Sequence, residues 1–175
     1  MHLTKRFGIV AASQLPLHYL LAMKSPYSPL QLLLQTSHET LNSVHQVIGR
    51  VILMLLVLHA TLYLNFFIRM GVLTKRIQNL DVIMGLSSIT LLSVLGASAS
   101  GVFRRMNYRV FYLIHVTVSS LVPLLLFFHV KHVRSYIIQC GVIQLANMIL
   151  RYIHTKPVSA KLKGVPETSL TAMRA

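Results

Sequence analysis

Two histidines fourteen residues apart, His45 and His59, stand inside one apolar run, HQVIGRVILMLLVLH, that continues through Phe67 and Ile68. On an α-helix that separation is about 21 Å of rise, and the two side chains point within about 40° of each other. One face of one helix therefore offers an imidazole near each surface of a hydrocarbon layer about 30 Å thick. His115 and His129 repeat the spacing inside HVTVSSLVPLLLFFH. With nine histidines in the chain, one match at some separation arises readily by chance. Two matches at the same separation, both in apolar runs, are harder to dismiss. Ionisable groups at membrane depth are costly and tend to face a functional interior. The plain alternative is four polar residues hydrogen-bonded inside a helix bundle. Two such helices side by side instead stack two pairs, His45 with His115 and His59 with His129, each able to hold a haem iron from both faces.

Composition decides what surrounds these helices. Hydrophobic residues make up 54% of the 175, and only three residues are acidic, namely Glu39, Asp81 and Glu167. That is too apolar for an ordinary soluble domain and fits one membrane bundle. The net charge of +14 would suit nucleic acid. The basic residues, however, sit at the ends of apolar runs instead of forming a stripe, so they read as membrane-interface anchors and nucleic acid is excluded as a partner. The lone Cys140 excludes an intrachain disulfide and any cysteine-held zinc or iron–sulfur site. Met1–Arg6 leads into a run with Gln14, Pro16 and His18 and lacks the small-residue cleavage pattern of a secretory signal.

Five apolar segments, at about 7–23, 44–68, 80–103, 108–130 and 133–154, predict an all-α membrane protein, a bundle of about five transmembrane helices in contact with lipid. The first is short and broken by Pro16. The last carries Gln139, Gln144 and Asn147 and should face partners more than lipid. Residues 96–101, GASASG, are small enough to allow close helix approach; they are no phosphate loop, since no Gly-Lys-Ser/Thr follows. Pro123 frees a backbone carbonyl in the fourth segment, between the two histidine levels. Of the 17 Lys and Arg, seven fall on one side of such a bundle (Lys5, Arg6, Arg69, Lys75, Arg76, Lys131, Arg134) and ten on the other. The positive-inside rule then puts the C-terminus in the cytosol, with His45 and His115 at the cytosolic level and His59 and His129 at the outer one.

The elements His45-x-x-x-Gly49-Arg50, His59 and Tyr108-x-x-Phe111-x-x-x-His115 resemble the membrane domain of fungal ferric-chelate reductases, of which NADPH oxidases are the neighbouring branch. The resemblance runs from about Arg6 to His154. It implies two b-type haems carrying electrons outward across a membrane, usually the plasma membrane, toward a ferric or cupric chelate at the outer face. Residues 1–154 read as the ferric reductase-like haem domain. Residues 155–175 resemble the start of the family's flavin-binding barrel as a cytosolic tail, so the chain looks short at both ends. The family's last helix tends to carry Asp-Arg where this chain has Asn147-Met148. No flavin or nicotinamide motif is present, so FAD and NADPH belong to a missing domain or a separate cytosolic flavoprotein, and the chain alone is not expected to oxidise NADPH.

Around the haems, His45, His115, His59 and His129 are the expected axial ligands. Gly49, one turn after His45, leaves a porphyrin face unobstructed or simply helps helices pack. Arg50 at the cytosolic end supplies a cation for haem propionates or reaches for lipid headgroups. His18, His38, His132 and His154 lack the paired spacing and read as interfacial or packing histidines. The expected activity is that of a metalloreductase haem domain. The same wiring could make superoxide at the outer haem, and a non-catalytic haem-binding subunit is the third alternative.

Overall fold

A computed structural model describes residues 2–23 and 28–154. Among them every regular element is helical: α1 His2–Leu21, α2 Pro29–Leu34, α3 His38–Arg69, α4 Leu73–Ile77, α5 Leu80–Ser98, α6 Gly101–Met106, α7 Tyr108–His129 and α8 Arg134–His154, with a 3-10 turn at Lys131–Val133 before the last. The stretch 155–175, read above as the start of a barrel, lies outside the described residues.

Four elements, α3, α5, α7 and the segment Lys131–Ile153, are long and apolar enough to cross a membrane. The chain is an all-α, multi-pass membrane bundle. The 20-residue α1 has the length, but Lys5, Arg6, Gln14, Pro16 and His18 lower its apolarity and keep it out of that group. It nevertheless contributes the most tightly packed stretch, with Ala11 wholly buried beside Ala12 and Leu15. These join Ile52 of α3, Val118 and Val122 of α7 and Cys140 of α8 in one core. Large apolar side chains such as Leu113, Leu124, Phe128, Val142 and Leu145 point outward, which is where lipid accepts them.

Capping sets the helix limits. α3 begins six residues before its apolar run because Ser37 Oγ accepts the Thr40 N–H at 3.3 Å, with Glu39 in the first turn complementing the positive end of the helix dipole. Its 32 residues rise about 48 Å, overshoot the hydrocarbon layer, and stop at Gly71 with φ +65°, a left-handed position open to glycine. The expected segment 80–103 is two helices. Ser100 Oγ accepts the Phe103 N–H at 3.4 Å and starts α6 afresh, a local bond that competes with helix continuation. Asn107 Oδ1 accepts the Val110 N–H at 3.2 Å and starts α7.

Packing follows two hairpins. α1 lies along α3, α5 lies along α7, α3 meets α5, and α8 closes against α1 and α7. A Cβ added at Gly96 would run into the Leu53 side chain, so the small residues at the end of α5 do permit close approach to α3. On α8, Gln144 Nε2 donates to Ser120 Oγ of α7 at 2.7 Å and Asn147 Oδ1 is buried, as expected for a face turned to partners, whereas Gln139 is exposed.

Pro123 has no N–H to give to the carbonyl four residues back, that of Ser119. Tyr19 Oη of α1 donates to that carbonyl instead, between the levels of His115 and His129. Backbone groups at membrane depth must be satisfied by protein, so this hydroxyl completes a helix that proline interrupts. Tyr19→Phe is expected to destabilise the bundle by about 1 kcal/mol on denaturation in detergent. In a Pro123→Ala background, where residue 123 regains its N–H, the same change should cost measurably less.

Candidate functional site

The four paired histidines come from the two helices that stand apart. α3 carries His45 and His59, α7 carries His115 and His129, and the backbones of these two helices hardly approach each other. Their side chains nevertheless reach across the gap. The His45 and His115 rings have centres 6.3 Å apart with planes at 60°. His59 and His129 stand fourteen residues further along the same two helices. The structure thus brings His45 and His115 together.

Three of the four imidazoles, those of His45, His59 and His129, are oriented from behind by the other helix of their hairpin. His59 Nδ1 lies 2.7 Å from the Thr4 carbonyl of α1, and His129 Nδ1 lies 2.6 Å from the Asp81 carbonyl of α5. His45 Nδ1 lies 3.1 Å from the carbonyl of His18. A carbonyl oxygen only accepts, so the imidazole Nδ1 carries the proton and donates. In the neutral ring that leaves the Nε2 lone pair available to a metal.

Glycines make these bonds reachable. A Cβ at Gly8 would lie 2.7 Å from His59 Cε1, and one at Gly85 would lie 2.5 Å from His129 Cε1. Both glycines stand four residues after the accepting carbonyl, Thr4 or Asp81. In an α-helix the N–H of residue i+4 sits against the carbonyl of residue i, so a side chain at i+4 crowds any second donor to that oxygen. Neither glycine stood out in the sequence. The available signal was a glycine in mid-helix, which costs about 0.5–1 kcal/mol relative to alanine and so calls for a packing reason.

The remaining sequence candidates separate. The space beside Gly49 is filled by His18, whose Cε1 would lie 2.9 Å from an added Cβ; the His18 ring stacks on His45 at 3.9 Å. Arg50 is exposed, and its Nε donates to the Gln46 carbonyl of its own helix at 3.3 Å. His132 is exposed and His38 half-buried. Among the described residues no group of three or more His, Cys, Asp or Glu is arranged to hold a metal ion.

Residues 7–126 match a known family, described as ferric reductase like transmembrane component. The chain belongs to that family. This ferric reductase-like transmembrane chain has relatives in yeasts. It is 30% identical over 167 residues to a probable metalloreductase AIM14 of Meyerozyma guilliermondii, covering 95% of this chain and 33% of that protein. It is 32% identical over 178 residues to a probable metalloreductase AIM14 of Candida dubliniensis, covering 97% and 32%. A probable ferric reductase transmembrane component of Eremothecium gossypii is 30% identical over 112 residues, 64% of this chain and 16% of that one. The chain spans about a third of the length of the two metalloreductases. No solved structure matches it.

Gly8→Ala and Gly85→Ala should each push an imidazole off its carbonyl, and such overpacking costs about 1–3 kcal/mol. Gly141, in the interior of α8, has nothing within 4 Å of an added Cβ. Gly141→Ala is therefore expected to be neutral or stabilising in the same thermal melts, where the other two lower the midpoint.

Proposed function

We propose that this ferric reductase-like chain holds two b-type haems, one between His45 and His115 and one between His59 and His129, and passes electrons through them across the membrane to a ferric or cupric chelate. The observation that carries the reading is the 6.3 Å between the His45 and His115 ring centres, across two helices whose backbones stay apart. Two metal–imidazole bonds of about 2 Å each, with the ring radii added, come to about 6 Å. The donor chemistry fits as well, since three of the four imidazoles have Nδ1 occupied by a carbonyl and so offer Nε2. When bound, haem iron shuttles one electron at a time between its ferric and ferrous states.

The chain's own residues do the rest. The carbonyls of His18, Thr4 and Asp81 fix tautomer and ring direction, which makes the imidazoles better ligands. The outward apolar faces of α3 and α7 keep water from both levels and so lower the local dielectric. Arg50 leaves its terminal guanidinium nitrogens beyond the Gln46 bond for a haem propionate or a headgroup. The surplus of Lys and Arg on the other side supports an outer position for the His59 level and a cytosolic C-terminus, in the plasma membrane. Electrons would then arrive from the cytosolic side, from FAD and NADPH held by a further domain or a separate flavoprotein. The metalloreductase names of the relatives support a metal chelate as acceptor.

At the His59 end the cations are restrained. Arg69 Nε donates to Asn65 Oδ1 at 3.2 Å, Arg76 lies 5.8 Å from the Phe67 ring centre, and Arg134 lies 4.8 Å from that of Phe127. Lys75 and Arg76, with Val72 and Asn79, line a shallow open depression. A fixed cationic rim raises the local concentration of anionic chelates.

Purified protein should carry two low-spin haems per chain by pyridine haemochrome assay, and changing any one of the four ligands to Leu should remove one of them. Two haems retained after His59→Leu would overturn that pairing. The rim has its own check in haem reoxidation after chemical reduction. Lys75→Gln with Arg76→Gln should slow reoxidation by an anionic ferric chelate several-fold and leave a neutral chelate unaffected. The difference should shrink at high salt, where screening acts beyond about 8 Å.

A further inference from the structure

His18 belongs to neither pair, yet it lies on the His45 level. Its ring stacks on His45 with centres 3.9 Å apart and planes 8° from parallel, while its main-chain carbonyl accepts the His45 Nδ1 proton at 3.1 Å. Gly49, one turn along α3, leaves the space that the His18 ring fills. The ring's Nδ1 is buried without a hydrogen-bond partner, so that nitrogen does nothing to hold the ring where it is.

The two levels differ in this respect. At the His59 level, α1 brings a glycine, Gly8, and the ring lodged against it belongs to α3. At the His45 level the roles are exchanged: α3 brings the glycine and α1 brings the ring. His59 has Tyr63 only edge-on at 5.0 Å and 63°. An imidazole turns freely about its terminal torsion, whose profile is broad. One hydrogen bond through Nδ1 fixes the direction of the ring but leaves it able to rock about that bond. A flat neighbour removes that freedom.

We propose that His18 is a positioning residue for His45, fixing the tautomer of that ligand with its carbonyl and the ring plane with its imidazole. It acts by contact area and not through its Nδ1. The haem part of this inference rests on the function proposed above; the stacking does not. In low-spin ferric haem the planes of the two axial imidazoles govern the anisotropy of the electron paramagnetic resonance signal, so a ring that is free to rock alters that signal without any change of ligand.

The test compares His18→Phe, which keeps a flat ring and loses the nitrogens, with His18→Leu, which keeps apolar bulk and loses the ring. In haem-free full-length chain, the ring protons of His45 should be shifted upfield by the stacked neighbour in the parent and in His18→Phe, and the shift should be lost in His18→Leu. In a His59→Leu background, which leaves only the His45-level haem, His18→Leu should move the largest g value. It should also speed haem transfer to a scavenger about tenfold, the lower end of what losing an orienting neighbour costs, and His18→Phe should do neither. Phe behaving like Leu, or Leu behaving like the parent, would overturn the proposal. A parent chain that takes up no haem would overturn the proposed function instead, and the ring shift in the haem-free chain would still decide the role of His18.

Discussion

The bond from an imidazole Nδ1 to a main-chain carbonyl on the adjacent helix is the interaction on which the interior of this bundle depends. At His59 and His129 it is made to carbonyls near the start of α1 and α5, Thr4 and Asp81, which already accept within their own helices and use the second lone pair here. At His45 it is made to His18 in the last turn of α1, where Ala22 and Met23 N–H turn to Tyr19 and Leu20 and helix carbonyls run short of partners. With no water in the hydrocarbon layer, a polar ring at these depths has to find protein partners. His45, His59 and His129 are thus satisfied at Nδ1 by the fold, which leaves the lone pair of each neutral ring on Nε2.

The same bond explains why α1, with its charged and polar residues, packs so closely into the bundle. α1 has to supply a carbonyl and a glycine at one level and a carbonyl and a ring at the other. Tyr19, next to His18, gives α7 back the donor that Pro123 takes away. A helix so engaged gains little from an apolar surface, and its small residues, Ala11 and Ala12, are wholly or nearly wholly buried. The spans that meet lipid show the opposite pattern, with large apolar residues outside and few buried ones.

Periodicity and residue type sufficed for the class of fold and for placing His45 beside His115, because a fourteen-residue interval on an α-helix sets two side chains on nearly one face about 21 Å apart. The helix limits were less legible. The caps at Ser37, Ser100 and Asn107 rest on single hydroxyl or amide groups that hydrophobicity does not register. His18 was hidden for a related reason. Its role arises from an antiparallel neighbour, and a spacing rule applied along one helix cannot see a ring contributed by another. Gly8 and Gly85 were invisible in the same way, since only the position of an imidazole across the interface distinguishes them from any other small residue in a membrane helix.

The exchange of glycine and ring between the two levels has a mechanical consequence. Gly8 faces His59 and Gly49 faces His18, and both contacts keep one antiparallel register between α1 and α3. Sliding either helix by a turn would carry both glycines away from the rings they admit and would break both imidazole–carbonyl bonds between the two helices at once. The hairpin therefore resists shear along its length in both directions, much as two pins stop a sliding joint that one pin would only turn into a hinge. Helix displacements of the kind that switch many membrane proteins are closed to this half of the molecule. Freedom to move is left to the loops and to α8, which meets the rest through Cys140 and Ile137 in the core and through Gln144.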